Sequence, residues 1–258
     1  MKETTRFGGI QRLYGTEGLE RLQSAHVCVV GIGGVGSWSV EALARSGIGR
    51  LTLVDMDDVC VSNVNRQLHA LDGQIGHPKV EVMAERAKLI NPAAELFPIV
   101  DFFNEETAAA IFQTPFTYVL DAIDHLANKC LLIATAHRRN IPVFVIGSAG
   151  GRRSPLNLQV TDLGLSSHDR LLSEVRRMLR SQYGFPTEPR TIFGVDCVYS
   201  KEPALYPQPD GTVCATRASG TSVRLDCDSG YGTATFVTGT FGFVAAAEIV
   251  KKIALTQA

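Results

Sequence analysis

At 258 residues the chain is long enough for one large domain or two small ones with a substantial buried core. A formal net charge of −1, with 45% hydrophobic and 20% charged residues, excludes a protein that binds polyanions through its overall charge, so any nucleic-acid surface has to be a local patch. Six scattered cysteines (Cys28, Cys60, Cys130, Cys197, Cys214, Cys227) with no Cys-x-x-Cys pair argue against a four-cysteine zinc site.

The opening residues Met1-Lys2-Glu3-Thr4-Thr5-Arg6 carry no apolar signal region, which favours a reducing, cytoplasmic location. The apolar run from His26 predicts a strand over 26–31. It leads through Gly31-Ile32-Gly33-Gly34-Val35-Gly36 into a helix over about 34–47, with Val40, Leu43, Ala44 and Gly47 on one face. A strand at 50–55 ends on Asp55, and an irregular stretch, 56–77, follows. Pro78 opens a helix that Asn91-Pro92 stops. The strand at 95–100 contains Pro98, which places it at or near a sheet edge. Asn104 caps a short helix, and strand 117–121, helix 125–140 and strand 142–146 complete the alternation. Such alternation predicts an α/β, Rossmann-like, mainly parallel sheet with helices on both faces.

Beyond Gly150 the periodicity fades into an elaborated C-terminal half. Residues 150–155 read as a turn, Ser167 to Arg180 as a basic helix, and 184–212 as a long loop rich in Pro, Gly and Asp. Ser229 to Ala247 carries no charge and approaches the length of a membrane span. Its glycines and threonines fit a helix buried in protein better than one facing lipid, so no membrane insertion is expected. The whole of 1–258 reads as one continuous domain, with a nucleotide-binding half of about 1–150 and a substrate-facing half of about 151–258.

The chemistry concentrates in the first half. A glycine turn between strand and helix lets backbone N–H groups approach a phosphate, and an acid about 20 residues on holds ribose hydroxyls. Gly31, Gly33, Gly34, Gly36 and Asp55 fit that pattern, which by itself also suits NAD. A triphosphate needs further positive charge, and Arg66 and Lys79 supply it, so the site reads as one for ATP.

The wider series is Gly31 to Ser37, Asp55-x-Asp57, Asn63-x-x-Arg66-Gln67, Gly76-x-x-Lys79 and Asp121-x-x-Asp124. In that order it resembles the ubiquitin-activating-enzyme-like family, which includes the adenylyltransferases of molybdopterin and thiamine biosynthesis. The resemblance implies that the glycines wrap the nucleotide and Asp55 holds the ribose, with Asp57 beside it. It further implies that Asn63, Arg66 and Lys79 reach the phosphates and that Asp124 is a magnesium-associated carboxylate. The implied reaction is adenylation: a carboxylate displaces pyrophosphate from the α-phosphate of ATP in the presence of Mg²⁺. Asp121 reads instead as a structural partner of a backbone amide. None of the six histidines has metal-ligand spacing, and Cys28 and Cys130 read as inert core residues.

Two departures separate the chain from members that activate small ubiquitin-like proteins. Their zinc-binding cysteine pairs are missing. Gly9 also stands where they carry an Arg that completes the partner subunit's site, which leaves Arg6 or Arg12 to substitute. In the second half, Gly147-Ser148-Ala149-Gly150-Gly151, Gln159 to Leu163, Gly194 to Ser200, Tyr206 to Cys214 and Thr238-x-Thr240-Phe241-Gly242 resemble the branch that acts on threonylcarbamoyladenosine in tRNA. That branch implies ATP-dependent cyclisation of the threonyl carboxylate, a homodimer, and a sulfur-relay protein as a further partner to consider. The rivals are a sulfur-carrier adenylyltransferase, a nucleotide-binding scaffold and an NAD-dependent oxidoreductase. The tRNA-facing cations are expected at Arg152, Arg153, Arg176, Arg177 and Arg180, with Arg170, Arg177 and Arg180 on one helix face.

Overall fold

The computed structural model describes residues 6–216 and 231–256. Met1–Thr5, Cys227 and the first two residues of the uncharged 229–247 stretch lie outside them. Helix α1 (Gly8–Ser24) precedes β1 (His26–Val30), α2 (Gly36–Arg45) and β2 (Arg50–Val54). Next come α3 (Lys79–Ile90), β3 (Glu95–Ile99), the single turn α4 (Ala108–Ile111), β4 (Tyr118–Asp121), α5 (Leu126–Arg138) and β5 (Val143–Ile146). The second half contributes β6 (Leu158–Asp162), α6 (Arg170–Gln182), β7 (Asp196–Ser200), the hairpin β8 (Tyr206–Pro207) and β9 (Val213–Cys214), and α7 (Thr235–Leu255).

Seven strands form one sheet in the order β3-β2-β1-β4-β5-β7-β6, all parallel except β6, which runs antiparallel to β7. Strand alternation sends Val27, Val29, Leu51 and Leu53 to one face, against Val40, Leu43, Phe241 and Ile249. Cys28, Val30, Val119 and Val145 go to the other, against Leu132, Ile133, Leu172 and Val175. Helices therefore cover both faces, as a parallel sheet requires. Pro98 does sit on an edge strand, β3. Helix α7 lies against α2, where an added Cβ on Gly242 would fall 2.8 Å from the Cβ of Trp38. Close helix approach, rather than lipid, accounts for its small uncharged residues. Among the described residues no helix is long and apolar enough to cross a membrane.

Two expectations need correction, and one helix has no counterpart among them. Helix α1 went unread because Gly15, at φ +76°, kinks it and its polar and apolar residues do not sort to two faces. The stretch 184–212 is not a long loop, since β7 lies within it, paired on both sides by β5 and β6. Asp162 secures that insertion by accepting hydrogen bonds from the amides of Phe193 at 2.8 Å and Val195 at 3.1 Å. Helix α6 begins three residues later than Ser167, after Asp169, whose Oδ1 accepts from the Leu172 amide at 2.9 Å.

Candidate active site

The strand order reverses between β1 and β4, and at such a switch point ligands collect beyond the carboxyl ends of the strands. A cavity of about 1130 Å³ opens there. Gly31 forms its floor with φ at +92°, and a Cβ on this residue would meet the Ala122 carbonyl at 2.7 Å. A Cβ on Gly33 would meet only the Gln67 Nε2 atom, at 4.0 Å, so the backbone beside Gly33 is open to a phosphate, whereas a Cβ on Gly34 would meet the Arg66 side chain at 3.3 Å. Gly36 closes the turn, its Cβ position being only 1.8 Å from the Gly31 carbonyl oxygen.

Asp55 leaves β2 and ties itself to this turn. Its Oδ2 accepts from the Ile32 amide at 2.6 Å and its Oδ1 from the Asp57 amide at 2.9 Å. Burial raises its carboxyl above the ordinary value, opposed first by Lys79 and then by the two amides. Lys79, at the start of α3, is 5% exposed and donates from Nζ to Asp57 Oδ2 at 2.6 Å. Asp57 is thus the counter-ion that holds Lys79 ready, and its own carboxylate stays mostly exposed.

A short 3-10 turn, Val61–Asn63, carries the next group. Asn63 is buried and accepts from the Cys60 amide at 3.0 Å. Arg66 donates through Nη1 to the Ser62 carbonyl at 2.7 Å and to Asn65 Oδ1 at 3.0 Å, while Nε and Nη2 have no partner among the described residues. Trp38 Nε1 and Thr238 Oγ1 both donate to the Arg66 carbonyl, at 3.0 and 3.3 Å, so α2 and α7 fix this backbone. Gln67 faces the same cavity with a buried Oε1 that has no partner among the described residues. It belongs in the site although only its place beside Arg66 in the motif marked it.

On the opposite wall, after β4, Asp121 and Lys129 form a fully buried ion pair at 3.1 Å. Burial pushes the Asp121 carboxyl up, to about 6, against the pull of Lys129 and the Ile123 amide. Lys129 Nζ also donates to the Ile123 carbonyl at 2.9 Å. The pair therefore shapes the loop that presents Asp124, which is exposed in the cavity with no ion pair or hydrogen bond among the described residues. Asp121 is structural, as its reading from the motif had it.

The basic patch is arranged differently from the expectation. Arg152 is 5% exposed, donates to the Gly150 carbonyl at 2.7 Å and lies 3.8 Å from Asp169, so it belongs to the cavity wall and not to an outer surface. Arg176 is half-buried and bonded to Ser166, and Arg180 donates to the Pro186 carbonyl at 3.0 Å with its guanidinium over the Phe193 ring. Arg153, Arg170 and Arg177 remain exposed. Arg6 is engaged with the Ile90 carbonyl at 2.8 Å, whereas Arg12 is exposed. Cys28, Cys130 and Cys197 are fully buried, and burial pushes the Cys130 and Cys197 thiols up to about 12.

A polyphosphate-sized cavity at a Rossmann-type switch point, with two cations set opposite a free carboxylate, defines a nucleotide-binding α/β protein equipped for phosphate chemistry. The chain belongs to the ThiF family, whose model matches residues 9–257. It is 50% identical over 249 residues to the tRNA threonylcarbamoyladenosine dehydratase of Escherichia coli, covering 96% of this chain and 93% of that protein. A solved structure of the Escherichia coli tRNA N6-threonylcarbamoyladenosine dehydratase in complex with ATP matches at a TM-score of 0.85 and 44% identity, covering 97% of this chain and 94% of that one. By contrast, similarity to the molybdopterin-synthase adenylyltransferase of Escherichia coli, 34% identical, covers 54% of this chain.

Proposed function

We propose that the protein is an ATP-dependent dehydratase that cyclises threonylcarbamoyladenosine in tRNA. The observation that carries this reading is the extent of the match: similarity to the dehydratase continues through the second half of the chain, where that to the adenylyltransferase covers only about half of it. ATP fits the near half of the cavity. The open backbone at Gly33 receives phosphates, with Gly34 next to it against the Arg66 side chain, Asp55 receives the ribose, and the Gln67 Oε1 and the Asn63 side chain offer further polar contacts.

In the first step an oxygen of the threonyl carboxylate forms a bond to the α-phosphorus, and the bond to the pyrophosphate oxygen breaks. Arg66 and Lys79 stabilise the charge that develops on the phosphates. Asp57 holds Lys79 in place. In the second step the carbamoyl group of the same nucleoside attacks the activated carbonyl carbon and gives up its proton to solvent, and AMP leaves with the former carboxylate oxygen. The net loss is one water. Because the nucleophile is already attached to the substrate, proximity replaces an enzyme thioester.

Magnesium, when bound, neutralises the departing pyrophosphate. Asp124 would hold it together with phosphate oxygens and water, the kind of ligand set that magnesium accepts. Among the described residues no cluster of three or more His, Cys, Asp or Glu forms a metal cage, which fits a metal delivered with its nucleotide. The reading includes one continuous adenylation domain, a cytoplasmic location and a homodimer, with Arg12 as the exposed N-terminal cation available to a partner subunit. Exposed Arg153 and Arg177 would meet tRNA phosphates, with Arg176 and Arg180 holding the helix beneath.

The test is pyrophosphate release from ATP with tRNA as the second substrate. Release is expected with tRNA carrying threonylcarbamoyladenosine and not with the same tRNA carrying plain adenosine. Release triggered only by a protein with a Gly-Gly tail would return the chain to the sulfur-carrier adenylyltransferases.

A further inference from the structure

The cavity has a second half that the nucleotide site does not use. It lies beyond the end of β5 and is walled by the turn 147–151, Arg152, the start of α6, Ala204, Tyr206 and Tyr231. The turn is locked from three directions. Ser148 donates from its amide to Asp169 Oδ2 at 2.7 Å, which ties the strand end to the N-terminus of α6. A Cβ on Gly150 would fall 2.8 Å from the Cβ of Tyr231, and one on Gly151 would fall 2.7 Å from the Leu205 carbonyl oxygen. Small residues are therefore required here by the close approach of the segments that carry the two tyrosines.

Those tyrosine rings pair, with centroids 5.3 Å apart and planes at 50°. Paired aromatic faces at a cavity wall are stacking platforms for a base. Arg170, at the first position of α6, is exposed on the same wall and has no ion pair or hydrogen bond among the described residues. An unpaired guanidinium there suits a phosphate. Arg152 adds an independent sign of a ligand. It is almost fully buried, and among the described residues its nearest carboxylate is 3.8 Å away and its Nε has no partner. A buried, under-partnered guanidinium is costly unless something supplies the missing acceptor. With Asp169 at 3.8 Å as its counter-ion, its open Nε suits a neutral oxygen such as a carbamoyl carbonyl. It does not compete for the carboxylate that must reach the α-phosphate.

We infer that this second half is the acceptor-nucleotide subsite: Tyr206 and Tyr231 stack the modified purine, Arg170 binds a phosphate of the RNA strand, and Arg152 orients the carbamoyl group. The inference rests on the dehydratase reading for the identity of the base, and on this wall alone for its placement.

The test uses the full chain and an anticodon stem-loop RNA bearing N6-threonylcarbamoyladenosine, with the unmodified stem-loop as reference. Equilibrium binding reads the subsite without chemistry, and pyrophosphate release reads the reaction. Tyr206→Leu should weaken binding and raise KM for the modified stem-loop by roughly tenfold, the size of one lost base–aromatic stack. Arg170→Gln should weaken binding of both stem-loops and lower its salt dependence by about one unit of slope. ATP affinity should stay unchanged in both variants, and Tyr206→Phe, which keeps the ring, should behave as wild type. Unaltered binding and KM in Tyr206→Leu and Arg170→Gln would overturn the subsite while leaving the reaction standing. Binding lost in the variants, with no pyrophosphate released by wild type, would uphold the subsite and sink the dehydratase reading. Equal loss in Tyr206→Phe and Tyr206→Leu would overturn the stacking role.

Discussion

The two halves of the cavity are built in opposite ways. The near half comes mostly from one continuous run, Gly31 to Lys79, whose functional groups are braced before any ligand arrives: Asp55 on the turn amides, Lys79 on Asp57, Arg66 on the 3-10 turn. The far half is assembled from the end of β5, the start of α6, the β8 strand and the approach to α7, which are distant in sequence. Its exposed guanidinium at Arg170 is unpaired among the described residues. A half that must bring three phosphates and a nucleophile into line is preorganised. A half that holds a large polymer by a base and a strand gains more from open contacts.

Changes to the near half should accordingly cost most. Lys129→Met leaves the Asp121 carboxylate buried beneath the Asp124 loop without its partner, which should destabilise the fold by about 3–5 kcal/mol at pH 7. Chemical denaturation measures this loss. The deficit should narrow toward pH 5, where Asp121, already raised to about 6, takes up a proton and sheds the unpaired charge. A deficit that does not change with pH would mean that the lysine acts through packing.

Next in size are the phosphate cations. Arg66→Ala or Lys79→Ala should each lower kcat for substrate-dependent pyrophosphate release by roughly a hundredfold or more, since each removes a charge aimed at the transition state. The same substitutions should leave tRNA affinity nearly intact. A loss of tRNA binding equal to the loss of turnover would dissolve the division of the cavity into two halves.

A smaller effect is expected from His69, which is buried beside the near half with both ring nitrogens unpartnered among the described residues. Burial first, and Lys79 second, hold it down at about 4, against an ordinary value of 6.5. Between those values the unfolded chain binds the proton that the folded one refuses, so stability rises with pH across the window. Lowering the pH from 7 to 5 should cost about 2 kcal/mol through this residue. His69→Gln should remove that part of the slope, as read from unfolding at the two pH values. The least effect belongs to the outer rim: Arg177→Gln should reduce the salt slope of tRNA binding by about one unit and leave ATP affinity unchanged.

The same contrast explains how much of the molecule is legible in its sequence. Glycine spacing, an acid at a strand end and two cations within one segment are local signals, and the structure gathers them around one cavity. The edge position of β3 followed from Pro98, and the buried face of α7 from its small uncharged residues. Gln67 carried no signal beyond its neighbour, because an orphaned oxygen is a property of the fold. Strand β7 escaped because Gly194 and Asp196 look like loop residues, and only pairing to β5 and β6 makes the segment extended. Arg152 lies deeper than its sequence context implies for a related reason. An arginine after a strand reads as surface until Asp169 and the tyrosine wall close around it.

The most direct measurement is the mass of the modified nucleoside after tRNA bearing threonylcarbamoyladenosine is incubated with this protein, ATP and magnesium. The account predicts a nucleoside lighter by one water, formed with one AMP per turnover and absent when ATP is withheld. An unchanged nucleoside, with the protein folded and ATP bound, would contradict it.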